Sequence, residues 1–314
     1  MALVSMSVLL TGSDGFVGSH LLQTFPPGLG SLFSPTYNEL DLTDSNSVRD
    51  YLAGKDIKYC IHSATTLRAH FAYPVDVCEL NLRMFFNLVR YLPKDCRIVN
   101  LGSGSEYSRE HWHDNIHEEF FDRYIPKDPH SLSKYIISKF ILTDATERFV
   151  TIRLFGIYGE REDYLFKFIS NTIAKALHNI ELTINQDVLF NYIDVRDFCR
   201  ALYLLILNPD LYRLGALNLG HPQNYKLSEI ASIVLQCTGR EHLQTTILSE
   251  TEGSSYTPYL RKMHSILPSS FCFTPINKSI LRLSTYYSKI LGSTDRDALL
   301  TDKYLDYAKQ IMKK

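Results

Sequence analysis

The residues with the clearest chemical meaning come first in the chain. TGSDGFVGSH carries glycines at 12, 15 and 18 between the apolar run SVLLT and the segment SHLLQTF. That spacing suits a phosphate-binding turn. Gly12 permits the tight turn, Gly15 lets backbone approach a pyrophosphate, and Gly18 lets helix and strand pack closely. The helix that follows offers free N–H groups and a positive dipole end to an anion, and Phe16 and Val17, between the last two glycines, are further cofactor contacts. A dinucleotide cofactor is therefore expected. An acid about 20 residues further on would select NAD, and an arginine there NADP. GSLFSPTYNELD offers neither at that place, so NAD and NADP both stay open. Asp41, in ELDLTD, is expected at the adenine edge. HWHDNIH holds His111, His113 and His117, but lacks zinc spacing with Cys or Glu support, so a polar loop and no metal are expected.

The elements that must hold this turn are legible as well. SVLLTG, KYCIHSA, RIVNLGS and FVTIRLFG alternate with amphipathic VCELNLRMFFNLVRYL and SKYIISKFILTDATERF. Buried apolar runs alternating with helices predict an α/β fold with a Rossmann-type, doubly wound parallel sheet. The later half predicts helices over RDFCRALYLLIL and over KLSEIASIVLQCTG, ending at Gly239, with a strand at ALNLG. The expected division is a dinucleotide-binding domain over 1–160 and a smaller α/β substrate domain over 161–314, with some later segments returning to the first sheet.

Bulk properties narrow the classes. A net charge of -1 gives no footprint for nucleic acid or an anionic membrane. No apolar stretch is long enough to span a bilayer. MALVSMSVLLTG lacks a basic leader and a cleavage site, so it reads as a first strand rather than a signal peptide. Six cysteines without a CxxC pair read as reduced thiols, which implies a cytoplasmic setting.

Several motifs in order carry a resemblance. TGSDGFVGSH, ELDLTD, IHSATT, NLRMFFNLVRYL, RLFGIYG, FNYIDVRDFCRAL and ALNLG together resemble the extended short-chain dehydrogenase/reductase family, the nucleotide-sugar epimerases, dehydratases and ketoreductases. The resemblance implies an NAD- or NADP-dependent oxidoreductase acting on a nucleotide-sugar substrate, either as a 4-ketoreductase or as an epimerase. It implies cofactor contacts at Asp41, Leu42 and Ala64, a bracing Asn81, and Asp197 as a helix cap. It also implies a homodimer built from the helix after NLRMF and the helix bearing the catalytic lysine.

The family's catalytic Ser, Tyr and Lys fall on Ser103, His130 and Lys134. The histidine is a departure. A second YxxxK spacing exists at Tyr135 and Lys139, but Pro129 and Ser133 favour the first register. Positions 130 and 135 differ by about 140° around a helix, so one site cannot use both. Lys134 would hold the nicotinamide ribose. Imidazole titrates near neutrality and suits acid–base work. It also reaches about 2 Å less far than phenol, and a nearby ammonium disfavours its charged form. Two readings follow: His130 transfers the proton, or the chain is a catalytically impaired cofactor-binding regulator or partner subunit. Glu106, near the position of a dehydratase acid, and Arg161 and Arg196, which suit a diphosphate, complete the candidate substrate contacts.

Overall fold

The computed structural model describes residues 6–66, 72–249 and 253–311. The chain opens with β1 (Ser7–Thr11), α1 (Phe16–Gln23), β2 (Ser31–Phe33), α2 (Ser45–Leu52), β3 (Tyr59–His62) and α3 (Val77–Tyr91). It continues through β4 (Arg97–Ser103), α4 (Pro129–Thr143), β5 (Phe149–Leu154), β6 (Gly156–Tyr158) and α5 (Phe168–Leu177). Next come β7 (Leu182–Gln186), β8 (Leu189–Asp194), α6 (Val195–Leu205), α7 (Pro209–Arg213), β9 (Ala216–Leu219) and β10 (Asn224–Lys226). The remaining elements are α8 (Leu227–Thr238), β11 (Thr245–Ser249), α9 (Arg261–Ile266), α10 (Ile276–Lys289), α11 (Arg296–Leu300) and α12 (Lys303–Ile311).

The main sheet has six strands in the order β2-β1-β3-β4-β5-β9, and every pairing in it is parallel. Period-two alternation sends neighbouring residues to opposite faces. Val8, Leu10, Ile61, Val99 and Ile152 pack with Leu21 of α1, Phe198 and Leu202 of α6, and Met263 of α9. Leu9, Cys60, Ile98 and Phe149 pack with Val48 of α2, Phe85 and Leu88 of α3, and Ile137 and Ile141 of α4. Both faces are thus covered, which is why the strands read as unbroken apolar runs. From β1 the chain first goes out to β2 and then crosses back to β3, so strand order reverses between β1 and β3. Such a reversal opens a crevice at the carboxyl ends of the strands.

β9 comes from the second half of the chain and closes the sheet against β5. A second group of late elements forms a separate core. Ile173 of α5, Ile184 of β7, Ile230 and Val234 of α8, and Ile280 and Leu283 of α10 pack together there. Two small sheets, β10-β8-β6 and β11-β7, flank it. α8 stops at Gly239, which sits at φ 64 in the left-handed region. α4 is shifted towards the N-terminus from the segment SKYIISKFILTDATERF, starting before it and stopping short of its end. It begins at Pro129 behind an Asp128 cap and ends at Thr143, where Asp144 turns the chain. Among the described residues no helix is long and apolar enough to cross a membrane.

Candidate active site

The glycine turn lies at the mouth of the crevice. Gly12 has φ 71, and a Cβ there would lie 2.7 Å from both the Cα and the N of Ala64, in the loop after β3. A Cβ on Gly18 would lie 1.9 Å from the Gly12 carbonyl oxygen. Gly15 N–H donates to that same oxygen at 3.1 Å. Two glycines therefore let β1, α1 and the β3 loop touch. The third is different: Gly15 has ordinary extended φ and ψ of -75° and 174° as the residue before α1, and no side chain caps that helix end. The N–H groups of Phe16, Val17 and Gly18 open the helix without intrahelical acceptors. A cradle lined by glycine backbone and an uncapped helix start fits a dinucleotide pyrophosphate.

The adenine side follows the same logic. β2 ends at Phe33, and the next residues, Ser34 and Pro35, carry no charge. Asp41 accepts from the Thr43 N–H at 2.8 Å and the Thr43 hydroxyl at 2.7 Å. Burial works against its charge, but Thr43 and then Tyr37 outweigh it and hold the carboxyl below its usual range. Leu42 is buried in the core below, and its carbonyl accepts from Asn87.

Ser103 ends β4 half-buried and starts a short turn of helix. Its Oγ accepts from Ser105 N–H at 3.1 Å. Lys134, on α4, donates to the Leu101 carbonyl of the same strand at 2.9 Å. Burial pushes the Lys134 ammonium down to about 8, with the Glu106 carboxylate pulling the other way. His62, at the end of β3, is pushed down to about 3 by burial and by Lys134, and its Nδ1 lies 3.0 Å from Thr11 Oγ1. Asn81 of α3 ties the region together, donating to Ser133 Oγ at 2.9 Å and accepting from Thr66 N–H at 2.8 Å.

His130 lies one helical turn before Lys134, so both share a face of α4. Its ring stacks on Tyr73 at 4.3 Å and 5°. Tyr73 stands in the loop after β3, where the sequence offered no signal for it. Tyr135 and Lys139 both reach Asp122 instead.

The comparison with known proteins decides the family. The model of the NAD dependent epimerase/dehydratase family matches residues 8–220. The chain belongs to that family. The chain resembles the GDP-L-colitose synthase of Yersinia pseudotuberculosis, with 31% identity over 111 residues. That match spans 33% of this chain and 36% of the relative. Its fold is that of a GDP-L-fucose synthetase from Naegleria fowleri, with TM-score 0.76, 12% identity, and 93% and 95% of the two chains covered. The GDP-mannoheptose C4 reductase from Campylobacter jejuni, solved with NADP bound, gives TM-score 0.73 at 16% identity over 90% and 98%.

The remaining candidates in this family member sit as follows. Glu106 is fully buried, accepts from Ser103 N–H at 2.8 Å and pairs with Arg153 at 2.7 Å. Its carboxylate shapes the β4 terminus from inside and is sealed from any ligand. Arg161 is exposed with φ 70. Arg196 is exposed and paired with Glu160 at 2.6 Å, an ordinary surface ion pair. Asp197 does not cap α6, as its motif suggested. Asp194 does, accepting from Arg196 N–H. Asp197 is buried and accepts from Thr274 N–H and Oγ1 at 2.6 and 2.8 Å, stapling the C-terminal segment to α6. The histidines of HWHDNIH diverge: His111 stacks on Tyr124, His113 meets Phe120 edge-on, and His117 stacks on Tyr259. Among the described residues no three His, Cys, Asp or Glu side chains gather as a metal site requires.

Proposed function

We propose that this chain is an NAD(P)-dependent oxidoreductase of nucleotide-activated sugars, acting as a 4-ketoreductase or as an epimerase. The observation that carries the reading is the placement of Lys134 on the Leu101 carbonyl, two residues before Ser103, beside the glycine crevice. The names of the relatives favour a GDP-linked sugar. Residues 1–160 hold the cofactor and 161–314 mainly form the sugar side.

When bound, the nicotinamide supplies or accepts hydride at the sugar carbon. The chain's own groups handle the rest. Lys134 holds the ribose. Ser103 donates a hydrogen bond to the reacting sugar oxygen. His130, flat against Tyr73, delivers or removes the proton at that oxygen. A second reading, a cofactor-binding regulator or partner subunit, rests on the His130 departure. Incubating GDP- and dTDP-linked 4-keto-6-deoxy sugars with C4-deuterated NADH or NADPH separates the outcomes by mass spectrometry. Deuterium in the product with matching cofactor oxidation marks a ketoreductase. A changed sugar with no net cofactor oxidation marks an epimerase. No change with any sugar supports the regulator.

The homodimer belongs to the same proposal. α3 exposes Phe86 beside an open hollow of about 550 Å³ lined also by Cys78, Leu82 and Arg83, and α4 exposes Leu142. These apolar positions lie off the faces that meet the sheet, as expected of helices with a second partner. Sedimentation at micromolar concentration should give a dimer, and a monomer alone would remove this part. The free thiols at all six cysteines support a reducing, cytoplasmic setting.

A further inference from the structure

A histidine in the first turn of a helix has a ring that the helix does not orient. His130 is the second residue of α4 and half-buried. Its χ2 torsion is broad and roughly two-fold, so α4 alone leaves the plane of the imidazole open. The plane matters because both ring nitrogens donate and accept within it. An imidazole also stops about 2 Å short of a phenol's reach. It has little length with which to correct an angular error, and an ångström of misplacement can cost about 100-fold.

α3 fixes this residue from two directions. At the backbone, the His130 carbonyl accepts from the Ser133 hydroxyl at 2.7 Å, and Asn81 Nδ2 donates to the same Ser133 Oγ at 2.9 Å. Asn81 Oδ1 accepts in turn from Thr66 N–H at 2.8 Å and from the Thr65 hydroxyl at 3.4 Å, which ties the loop after β3 to the same point. At the ring, Tyr73 lies flat on the imidazole, with centroids 4.3 Å apart and planes 5° apart. Tyr73 is placed by its neighbour. A residue before proline is confined to extended backbone, and the Pro74 carbonyl accepts from Val77 N–H at 3.1 Å where α3 begins. Parallel rings at that spacing leave the imidazole one plane. Rotating χ2 away from it would drive the ring edge into the tyrosine face.

We infer that Tyr73 is a positioning residue for His130: its ring fixes the imidazole plane, and with it the direction in which the proton travels to or from the sugar oxygen. This rests on the role proposed above for His130. Tyr73 acts through its flat face, and its hydroxyl takes no part in the transfer. The loop after β3 thus serves the chemistry through Tyr73 as well as the glycine turn through Ala64.

Kinetics on the sugar that the enzyme converts, joined to proton NMR of the histidine rings, test this. Tyr73→Leu keeps an apolar side chain and loses the flat ring. It should lower kcat about tenfold, the upper scale of one aromatic pair, and leave KM within about twofold. Tyr73→Phe restores the ring without the hydroxyl and should recover most of that loss. In a His130→Ala background Tyr73→Leu should lower kcat no further, because the tyrosine acts only through the imidazole. The ring-proton resonances of His130, assigned by their loss in His130→Ala, are shielded by the tyrosine face. They should move downfield in Tyr73→Leu and far less in Tyr73→Phe. That arm needs neither cofactor nor substrate, and Tyr73→Met takes the place of the leucine variant if that one is unstable. A phenylalanine variant as slow as the leucine one, additive losses, or His130 resonances that stay put in Tyr73→Leu overturn the inference while the proposed function stands. Full turnover in His130→Ala overturns the role of His130 itself, and the inference with it.

Discussion

Gly15 and Gly18 stand three residues apart in the same motif, yet the structure assigns them different consequences. A Cβ on Gly18 would lie 1.9 Å from the Gly12 carbonyl oxygen, with the Gly12 carbonyl carbon at 2.7 Å. Ordinary contact needs more than 3 Å, so α1 would have to move by about 1 Å against β1, and overpacking of this kind costs roughly 1–3 kcal/mol. A Cβ on Gly15 meets only that same oxygen, at 3.3 Å, and its φ of -75° suits any residue. Gly15→Ala should therefore change stability by about 1 kcal/mol or less. The lost helix-start glycine and the stiffer unfolded chain act in opposite directions. Its effect should fall on the ligand. A methyl in the path of the pyrophosphate removes one charge-assisted hydrogen bond, worth about 1.5–3 kcal/mol, or roughly 10- to 150-fold in Kd. Thermal melts beside calorimetric titration with NAD and NADP read both quantities. The expected pattern is Gly15→Ala folded with weakened binding and Gly18→Ala clearly destabilised. Unchanged dinucleotide affinity in a folded Gly15→Ala protein would refute the reasoning.

Three further outcomes follow from the site. His130→Ala should lose about 100-fold in turnover if the imidazole carries the proton. Little change in Ala with gain in His130→Tyr would show that it does not. Lys134 releases its proton near 8 in the folded chain against 10.5 ordinarily. Between those values the unfolded chain binds more protons, so this group's contribution to stability rises with pH. Urea melts of wild type and Lys134→Met should diverge in the wild type's favour from about pH 8 upward, and parallel curves would contradict the burial of the ammonium. Glu106→Gln leaves the buried Arg153 charge without its partner and should cost about 3–5 kcal/mol in the same assay, with a loss under 1 kcal/mol refuting the pair.

The sequence carried the cofactor side of this site because its constraints are local. A tight turn, a close approach and a helix start are all written within TGSDGFVGSH. The strands were equally plain, since burial on both faces leaves unbroken apolar runs. Pro129 behind Asp128 marks the start of α4, ahead of the segment SKYIISKFILTDATERF, and the Asp144 turn marks its end within it. Arg153 was a signal too. An arginine inside the buried run FVTIRLFG must have a charged partner, and Glu106 is it. What the sequence could not show were contacts made between distant segments. The Tyr73 stack on His130 and the Thr274 staple on Asp197 depend on how segments from distant parts of the chain meet. No periodicity or spacing encodes such meetings.

The central claim is that the crevice, Ser103, His130 and Lys134 form a working redox site for nucleotide sugars. Absorbance at the reduced-nicotinamide band tests it most directly, with NADH and NADPH each presented with a panel of nucleotide 4-keto-6-deoxy sugars, GDP-linked ones first. Enzyme-dependent bleaching is expected with at least one keto sugar, abolished in Lys134→Met, or else conversion of the sugar at constant absorbance. Tight dinucleotide binding with neither bleaching nor conversion across the panel would contradict it and leave the regulator reading in its place.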